Sequence, residues 1–209
     1  MKKRIVFSLI TVVLIFAGCI TVNVPLGGGD SEPSFQWQLR WDSPIQHGNR
    51  IFINALRIKD FDASGSYQLS GMVVTHVDGT IAESSSNRWV SRPGAVLSEM
   101  LSRDIQITGH YPAIFRTAAS VADLLTVEGY VREFGASQVD STTWTAVLDV
   151  DVTLMSNRGS EVLFQKNYRF EKLMPEPGFR ALAEQMSLLG YLWSEEVMVD
   201  LAEVLLPRR

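Results

Sequence analysis

The residues TWTAVLDVDVTLM, numbers 143–155, form the stretch that decides the fold of this chain. Its apolar residues occupy every second position, so they share one face of an extended strand. Asp149 and Asp151 fall on the opposite face, which favours a solvated outer surface over a carboxylate pair with acid–base chemistry. The stretch therefore predicts a long strand whose core face carries Trp144, Ala146, Leu148, Val150, Val152 and Leu154.

The segments after this strand predict its packing partners. A turn sequence at 157–159 precedes a second alternating run over residues 160–170, which indicates a β-hairpin. Two prolines and a glycine then separate the hairpin from residues 179–206, whose apolar positions keep helical spacing. At 1.5 Å per residue this helix would be about 42 Å long, which is enough to cross a sheet.

The chain before the strong strand supplies a second hairpin and a second helix. The Asp-Gly pair at 78–79 suits a tight turn within residues 71–84, because such turns need positive backbone dihedrals. Ser91 and Pro93 are typical of a helix start, with Ser91 as the capping residue. An apolar stripe at three-and-four spacing predicts that this helix continues to about Gln106.

Three further segments complete the predicted sheet. Residues 35–41 alternate, residues 51–61 form an apolar run with an irregularity near Asn54, and residues 125–134 form a strand that becomes solvated toward its end. The order of strands, helix, strands and helix predicts an α/β fold. We expect a single compact domain with a mixed, largely antiparallel sheet flanked by two amphipathic helices.

The first nineteen residues predict export and a lipid anchor. Three basic residues at 2–4 precede an apolar run over residues 5–16, as in a signal peptide. The run is shorter than the roughly 20 residues that span a bilayer. The small residues at 17–18 directly before Cys19 resemble the lipobox of bacterial lipoproteins, in which the signal is removed and the cysteine carries acyl chains. The alternative is a secreted chain with an incidental thiol, which an unpaired exported cysteine disfavours.

These features predict the domain boundaries and the charge of the mature protein. We expect a signal peptide over residues 1–18, a lipidated flexible tether over 19–34 and the folded domain over 35–209. The signal holds three of the 19 basic residues and none of the 23 acidic ones, so the mature chain has a formal charge of −7, against −4 for the whole. This acidity disfavours nucleic acid as a ligand, and membrane contact is expected through the acyl chains on Cys19.

The sequence predicts no catalytic residue, no cofactor and no metal site. The closest approach to a nucleophile elbow surrounds Ser137 and lacks the last glycine, so we interpret residues 135–139 as a turn. His47, His76 and His110 lie far apart in the chain and suit neither a zinc site nor a triad. The glycines at 27–29 precede no lysine and no helix, which excludes a phosphate loop.

One tryptophan stands outside the apolar periods that explain the other four. Trp89 follows Arg88 where the hairpin passes into the helix, and tryptophan and arginine are the residues most enriched at the energetic centres of interfaces. Arg88, Trp89 and Arg92 are therefore the candidate contact to a neighbouring subunit or a partner. The alternative is that Trp89 covers the end of the core above the first turn of the helix.

Taken in order, these features resemble the ABC-type transport auxiliary lipoprotein family over about residues 35–206. The resemblance depends on the lipobox cysteine, the early strand with Leu39, a hairpin that ends at Trp89 before a proline-started helix, the long hairpin and the terminal amphipathic helix. Family members often carry a proline- and tyrosine-containing segment between the first strands. In this chain only residues 61–67 correspond to it.

The resemblance implies a non-catalytic, periplasm-facing lipoprotein of the outer membrane. Such proteins work with an ABC permease and an MCE-domain protein that carry lipids or other apolar compounds across the envelope, and some form ring-shaped homo-oligomers. Ile20 agrees with this location, because an aspartate directly after the lipidated cysteine is the usual signal for the inner membrane. The alternative function is regulation of envelope assembly or cell-wall synthesis through protein binding.

Overall fold

The structure, a computed structural model, describes residues 33–40, 51–121, 124–156 and 161–206. The described residues form nine strands, a short 3-10 helix at Gly65–Tyr67 and two α-helices. The strands are β1 (Phe35–Trp37), β2 (Ala55–Ile58), β3 (Asp62–Ala63), β4 (Gly71–Thr75), β5 (Ile81–Trp89), β6 (Ile114–Phe115), β7 (Leu124–Gln138), β8 (Trp144–Met155) and β9 (Val162–Leu173). The helices are α1 (Pro93–Thr108) and α2 (Phe179–Leu205).

Strand β7 organises the sheet. One of its edges pairs antiparallel with β8 along nearly its whole length. Its other edge pairs in parallel with β2, then β3, then β4, which lie end to end along it. Strand β9 continues the sheet beyond β8, β6 lies beyond β2, and β5 with β1 lies beyond β4. The mixed sheet of the predicted α/β class is thus confirmed, with the long antiparallel ladders confined to β7, β8 and β9.

Both predicted hairpins are confirmed, and the strong strand is the centre of the core. The four apolar residues from Leu148 to Leu154 on the inner face of β8 are fully buried. Helix α2 packs across this face, and its Trp193 is also fully buried. The terminal helix ends at Leu205, one residue before the predicted limit. A hydrogen bond of 2.7 Å from the Ser194 hydroxyl to Asp104 joins α2 to α1 inside the core.

Strand β7 differs from the prediction in two ways. It does not become solvated toward its end, since Phe134 and Ala136 are buried. Residues 135–138, interpreted as part of a turn, continue the strand: all four pair with β8, and residues 135–137 also pair with β4. The physical reason is that neighbouring strands cover both edges and α2 covers one face, so charged residues at 128, 132 and 133 do not mark an exposed end.

Helix α1 begins later than its predicted cap. Pro93 is the first helical residue, as expected, but Arg92 holds the N-cap position and no side chain caps the helix. The expected cap at Ser91 is therefore wrong, because the helix starts two residues beyond it. The helix continues to Thr108 rather than Gln106.

The two earliest apolar runs are less regular than their alternation predicts. Strand β1 covers only Phe35–Trp37, and Phe35 is 50% exposed while Leu39 is buried. In the second run Ile53 is 81% exposed and only Phe52 of residues 51–53 is buried. The backbone N–H groups of Ile51 and Phe52 both bond to the His110 carbonyl, at 3.0 Å, so this segment follows the end of α1 instead of joining the sheet.

Candidate functional site

An open groove of about 430 Å³ lies where the β4–β5 hairpin meets the first turn of α2. Its floor consists of Ala136, Met174 and Leu182, which are all buried. Two half-buried aromatic residues, Trp144 and Phe179, form its sides. The groove thus has the apolar character and size of a small-molecule site, for which volumes of about 300–1,000 Å³ are usual.

The groove forms because two chain segments close around the end of the sheet. The backbone N–H of Met174 donates to the Trp144 carbonyl at 2.8 Å, which joins the end of β9 to the start of β8. Gly178 then turns the chain into α2 with φ of 138°, a conformation that side-chain-bearing residues rarely adopt. This glycine places Phe179 and Leu182 against the end of the sheet.

The polar residues that line the groove are His76, Glu83, Ser84 and Ser85. His76 Nδ1 lies 3.2 Å from Gln138 Oε1, and the imidazole meets Trp144 edge-to-face at a centroid distance of 6.0 Å. Ser84 and Ser85 lie along the β5 wall. Glu83 also lines the groove, but its carboxylate lies across Gly71, where a Cβ would stand 2.1 Å from Oε1.

The other residues weighed for catalysis are not brought together. Ser137 is a ladder residue of β7 opposite Thr145, and the His110 ring lies 6.5 Å from that of Phe52. His47 lies outside the described residues. Among residues 33–40, 51–121, 124–156 and 161–206, no group of three His, Cys, Asp or Glu side chains is placed to hold a metal ion. Neither described helix is both long and apolar enough to cross a membrane.

The predicted contact at Arg88, Trp89 and Arg92 divides into two kinds of residue. Trp89 is only 2% exposed and packs edge-to-face on Phe134, with ring centroids 5.1 Å apart. Trp89 therefore lies over the core, as in the alternative given by the sequence, because β5 pairs with β4 and carries the indole over Phe134. Arg88 and Arg92 are exposed.

Arg92 belongs to a small ionic cluster at this corner. Its guanidinium lies 3.7 Å from Asp60, and Asp60 also pairs with Arg116. Arg116 in turn donates a hydrogen bond to the Ser98 hydroxyl oxygen at 2.9 Å and another to the Ile58 carbonyl at 3.3 Å. The cluster ties α1 to the loop after β2 and leaves the Arg92 side chain 59% exposed.

Sequence reasoning missed the groove because its parts are far apart in the chain. Trp144 and Phe179 each follow an apolar period, so each was assigned to the core. The break at residues 177–178 before α2 was the one local signal of a special backbone conformation. Cys19, the predicted lipidation site, lies outside the described residues.

Comparison with known proteins identifies the class to which this fold belongs. A Xanthomonas campestris protein of the DUF330 family is 12% identical, with a TM-score of 0.63, and the match covers 78% of this chain and 91% of that one. A second solved structure, of an uncharacterized protein, is 14% identical with the same TM-score and covers 81% and 99%. At such identities the likeness shows a shared fold. The comparison with curated proteins found no match.

The sequence itself matches one family model. Residues 45–197 match the model of the ABC-type transport auxiliary lipoprotein component. The match covers well over half of the 209 residues. The chain therefore belongs to the family of ABC-type transport auxiliary lipoproteins, as the resemblance predicted, and is associated with an ABC transport system as a component of the cell envelope.

Proposed function

We propose that this protein is a non-catalytic auxiliary subunit of an MCE-type ABC transport system that moves lipids or other apolar compounds between the two membranes. The family match over residues 45–197 carries this proposal, since it names an auxiliary and not an enzymatic component. The apolar groove supports an apolar cargo. His76 and Ser137 are each accounted for by neighbours in the sheet, which supports the absence of catalysis.

The proposal includes a lipid anchor at Cys19 in the outer membrane, with the tether over residues 19–34 and the domain of residues 35–209 facing the periplasm. Mass spectrometry of the mature protein should find acyl chains on an amino-terminal Cys19, and Cys19→Ser should release the protein from membranes. In membrane fractionation the wild type should follow the outer membrane. Ile20→Asp should shift it to the inner membrane. An unmodified amino terminus at another residue would contradict the anchor.

We further propose that Arg88 and Arg92 contact a partner, either the MCE-domain protein or a second copy in a ring, with Trp89 supporting them from the core. Arg88→Glu combined with Arg92→Gln should reduce partner capture or oligomer mass with little change in melting temperature, because the exposed Arg92–Asp60 pair contributes little to stability. Lys172→Glu, an exposed charge reversal on the distant strand β9, is the matched control. Trp89→Ala should instead melt earlier, because its side chain is buried.

The deciding experiment separates transport from the alternative of an envelope-assembly or cell-wall regulator. Affinity capture of the tagged, lipidated protein from cross-linked cells should recover an ABC permease and an MCE-domain protein. Deleting the gene should impair movement of labelled lipid between the membranes, and Ser137→Ala should restore it as well as the wild type. Recovery of cell-wall enzymes in their place, with normal lipid movement, would support the regulator.

A further inference from the structure

We infer that the groove between the β4–β5 hairpin and α2 holds one acyl chain of the transported compound, so that this subunit binds cargo directly. This inference rests on the proposed function, which itself requires only that the subunit belong to the transport system. It assigns a ligand to the open groove that Trp144 and Phe179 line.

The shape and surface of the groove favour a single chain. It is lined by aliphatic and thioether side chains and by the two aromatic residues Trp144 and Phe179. The volume of about 430 Å³ lies in the lower part of the range for small-ligand sites, which suits one chain better than a two-chain lipid. Met174 adds an adaptable, polarizable surface of the kind that accepts flexible apolar ligands.

The charge distribution of the groove favours an uncharged hydrocarbon chain inside it. Among the described residues that line it, Glu83 is the one formally charged residue. Val74 and Ala82 are partners in the β4–β5 ladder and both line the groove. Because successive side chains of a strand point to opposite faces, Glu83 points away, in agreement with its contact at Gly71.

The rim indicates where the head group of such a compound would lie. Ser84, on the same face of β5 as Ala82, offers a hydroxyl group, and His76 Nδ1 lies 3.2 Å from Gln138 Oε1. These groups can hydrogen-bond an ester or a free acid near the opening. The chain of a free fatty acid and one chain of a phospholipid share this chemistry, and the experiment below distinguishes them.

Photolabelling of the lipidated full-length protein tests the inference. The protein is mixed with phosphatidylethanolamine vesicles in which a minor fraction carries a diazirine on one acyl chain, and in a parallel arm with diazirine-bearing palmitate. After illumination, peptide mapping should place the label on groove residues such as Met174 and Phe179. Labelling in the first arm alone identifies a chain of an intact phospholipid, and labelling in the second alone identifies a free fatty acid.

Two tryptophan substitutions provide the matched comparison. Ala82→Trp adds a large ring at an exposed rim position and should lower labelling of the groove about tenfold, because it occupies the site sterically. Ile81→Trp changes the neighbouring residue, which is 54% exposed and does not line the groove, and should label like the wild type. Both variants should keep the wild-type melting temperature.

Three results would overturn the inference: no label in the groove, equal labelling of the two variants, or labelling only after Cys19→Ser. The last result would mean that the protein's own anchor fills the groove. None of these results depends on capture of the permease or the MCE-domain protein. A failed partner capture with intact groove labelling would instead contradict the proposed function.

Discussion

The two faces of the β7–β8–β9 sheet differ in chemistry: one is apolar and the other carries ion pairs. The inner face of β8 carries fully buried aliphatic residues under α2, whereas Asp149 and Asp151 occupy its outer face. On that outer face Arg169 reaches Glu133 and Asp149, each at 2.9 Å, and Arg132 bonds Asp151 at 2.7 Å. One strand thus has an apolar side and an ionic side.

The outer face is not uniformly solvated, which refines the expectation from the alternating pattern. Val147 is 1% exposed, and Tyr67 from the short 3-10 helix is 5% exposed. Burial, and next the charge of Glu133, raises the pKa of the Tyr67 hydroxyl. The ionic network therefore lies on a partly covered face, because Asp149 is itself buried whereas the Arg169 side chain is 45% exposed. We therefore expect the inner face to supply most of the unfolding free energy, because exposed ion pairs contribute little to it.

The largest effect is expected from the centre of the inner face. Trp193→Ala removes a fully buried ring that meets Phe61 edge-to-face at 6.0 Å. We expect a loss of about 3–5 kcal/mol of unfolding free energy, or roughly 6–20 °C in melting temperature. Denaturant titration measures it, and Leu192→Ala, next in the helix but 40% exposed, is the control. Similar losses of unfolding free energy in both variants would contradict the view that burial against the inner face of the sheet provides the stability.

A single methyl group should test how tightly the inner face is packed. Gly129 lies opposite Val152, and a Cβ there would stand 2.4 Å from the Phe61 ring. Gly129→Ala should therefore cost about 1–3 kcal/mol through overpacking. Gly65→Ala, where a Cβ meets nothing within 4 Å, should be nearly neutral. Thermal unfolding compares them, and Phe61→Leu should partly rescue Gly129→Ala; without such rescue, the cost has another origin.

The edge of the inner face carries a titratable cluster whose effect depends on pH. Burial alone would raise the pKa of Asp200, but hydrogen bonds from Lys166 and Tyr168, each 2.7 Å long, outweigh it and lower this pKa from 3.8. A carboxyl with a depressed pKa in the folded state stabilises the fold above its unfolded pKa, and this contribution is lost as the pH falls through the folded pKa.

Asp200→Asn should therefore cost about 1–2 kcal/mol at pH 7 and progressively less in acid. The measurement is the unfolding free energy of both proteins from pH 7 down to about pH 2, a range that includes the ordinary aspartate pKa. Glu203→Gln, on an exposed part of the same helix, is the matched control. A difference independent of pH would show that the cluster acts through shape and not through charge.

The smallest effect is expected on the outer face. A double-mutant cycle of Asp149→Asn and Arg169→Gln should give a coupling of about 0.2–1 kcal/mol, because the Arg169 side chain is 45% exposed and screened by water. High salt should weaken this coupling further. Urea titrations at low and high salt measure it. A coupling that equals the loss in Trp193→Ala would remove the distinction between the two faces.

Local sequence was sufficient for the elements that carry their own pattern. The strict alternation of β8 and the three-and-four spacing of α2 each identify a face, and the element bounds were correct to within a residue or two. Export with a lipid-bearing Cys19 is likewise inferred from local sequence alone, and it stays a prediction. Family membership followed from the order of these elements and is confirmed over residues 45–197.

Features built from residues that are distant in the chain could be seen only in the tertiary structure. β2, β3 and β4 are short, and their positions along β7 depend on backbone hydrogen bonds that side-chain periodicity does not encode. Trp89 is buried because it packs on Phe134, and the groove forms where Gly178 turns the chain so that Phe179 lines it together with Trp144. A sequence period reports which side of an element is apolar, whereas the partner of that side is selected by the packing of the whole chain.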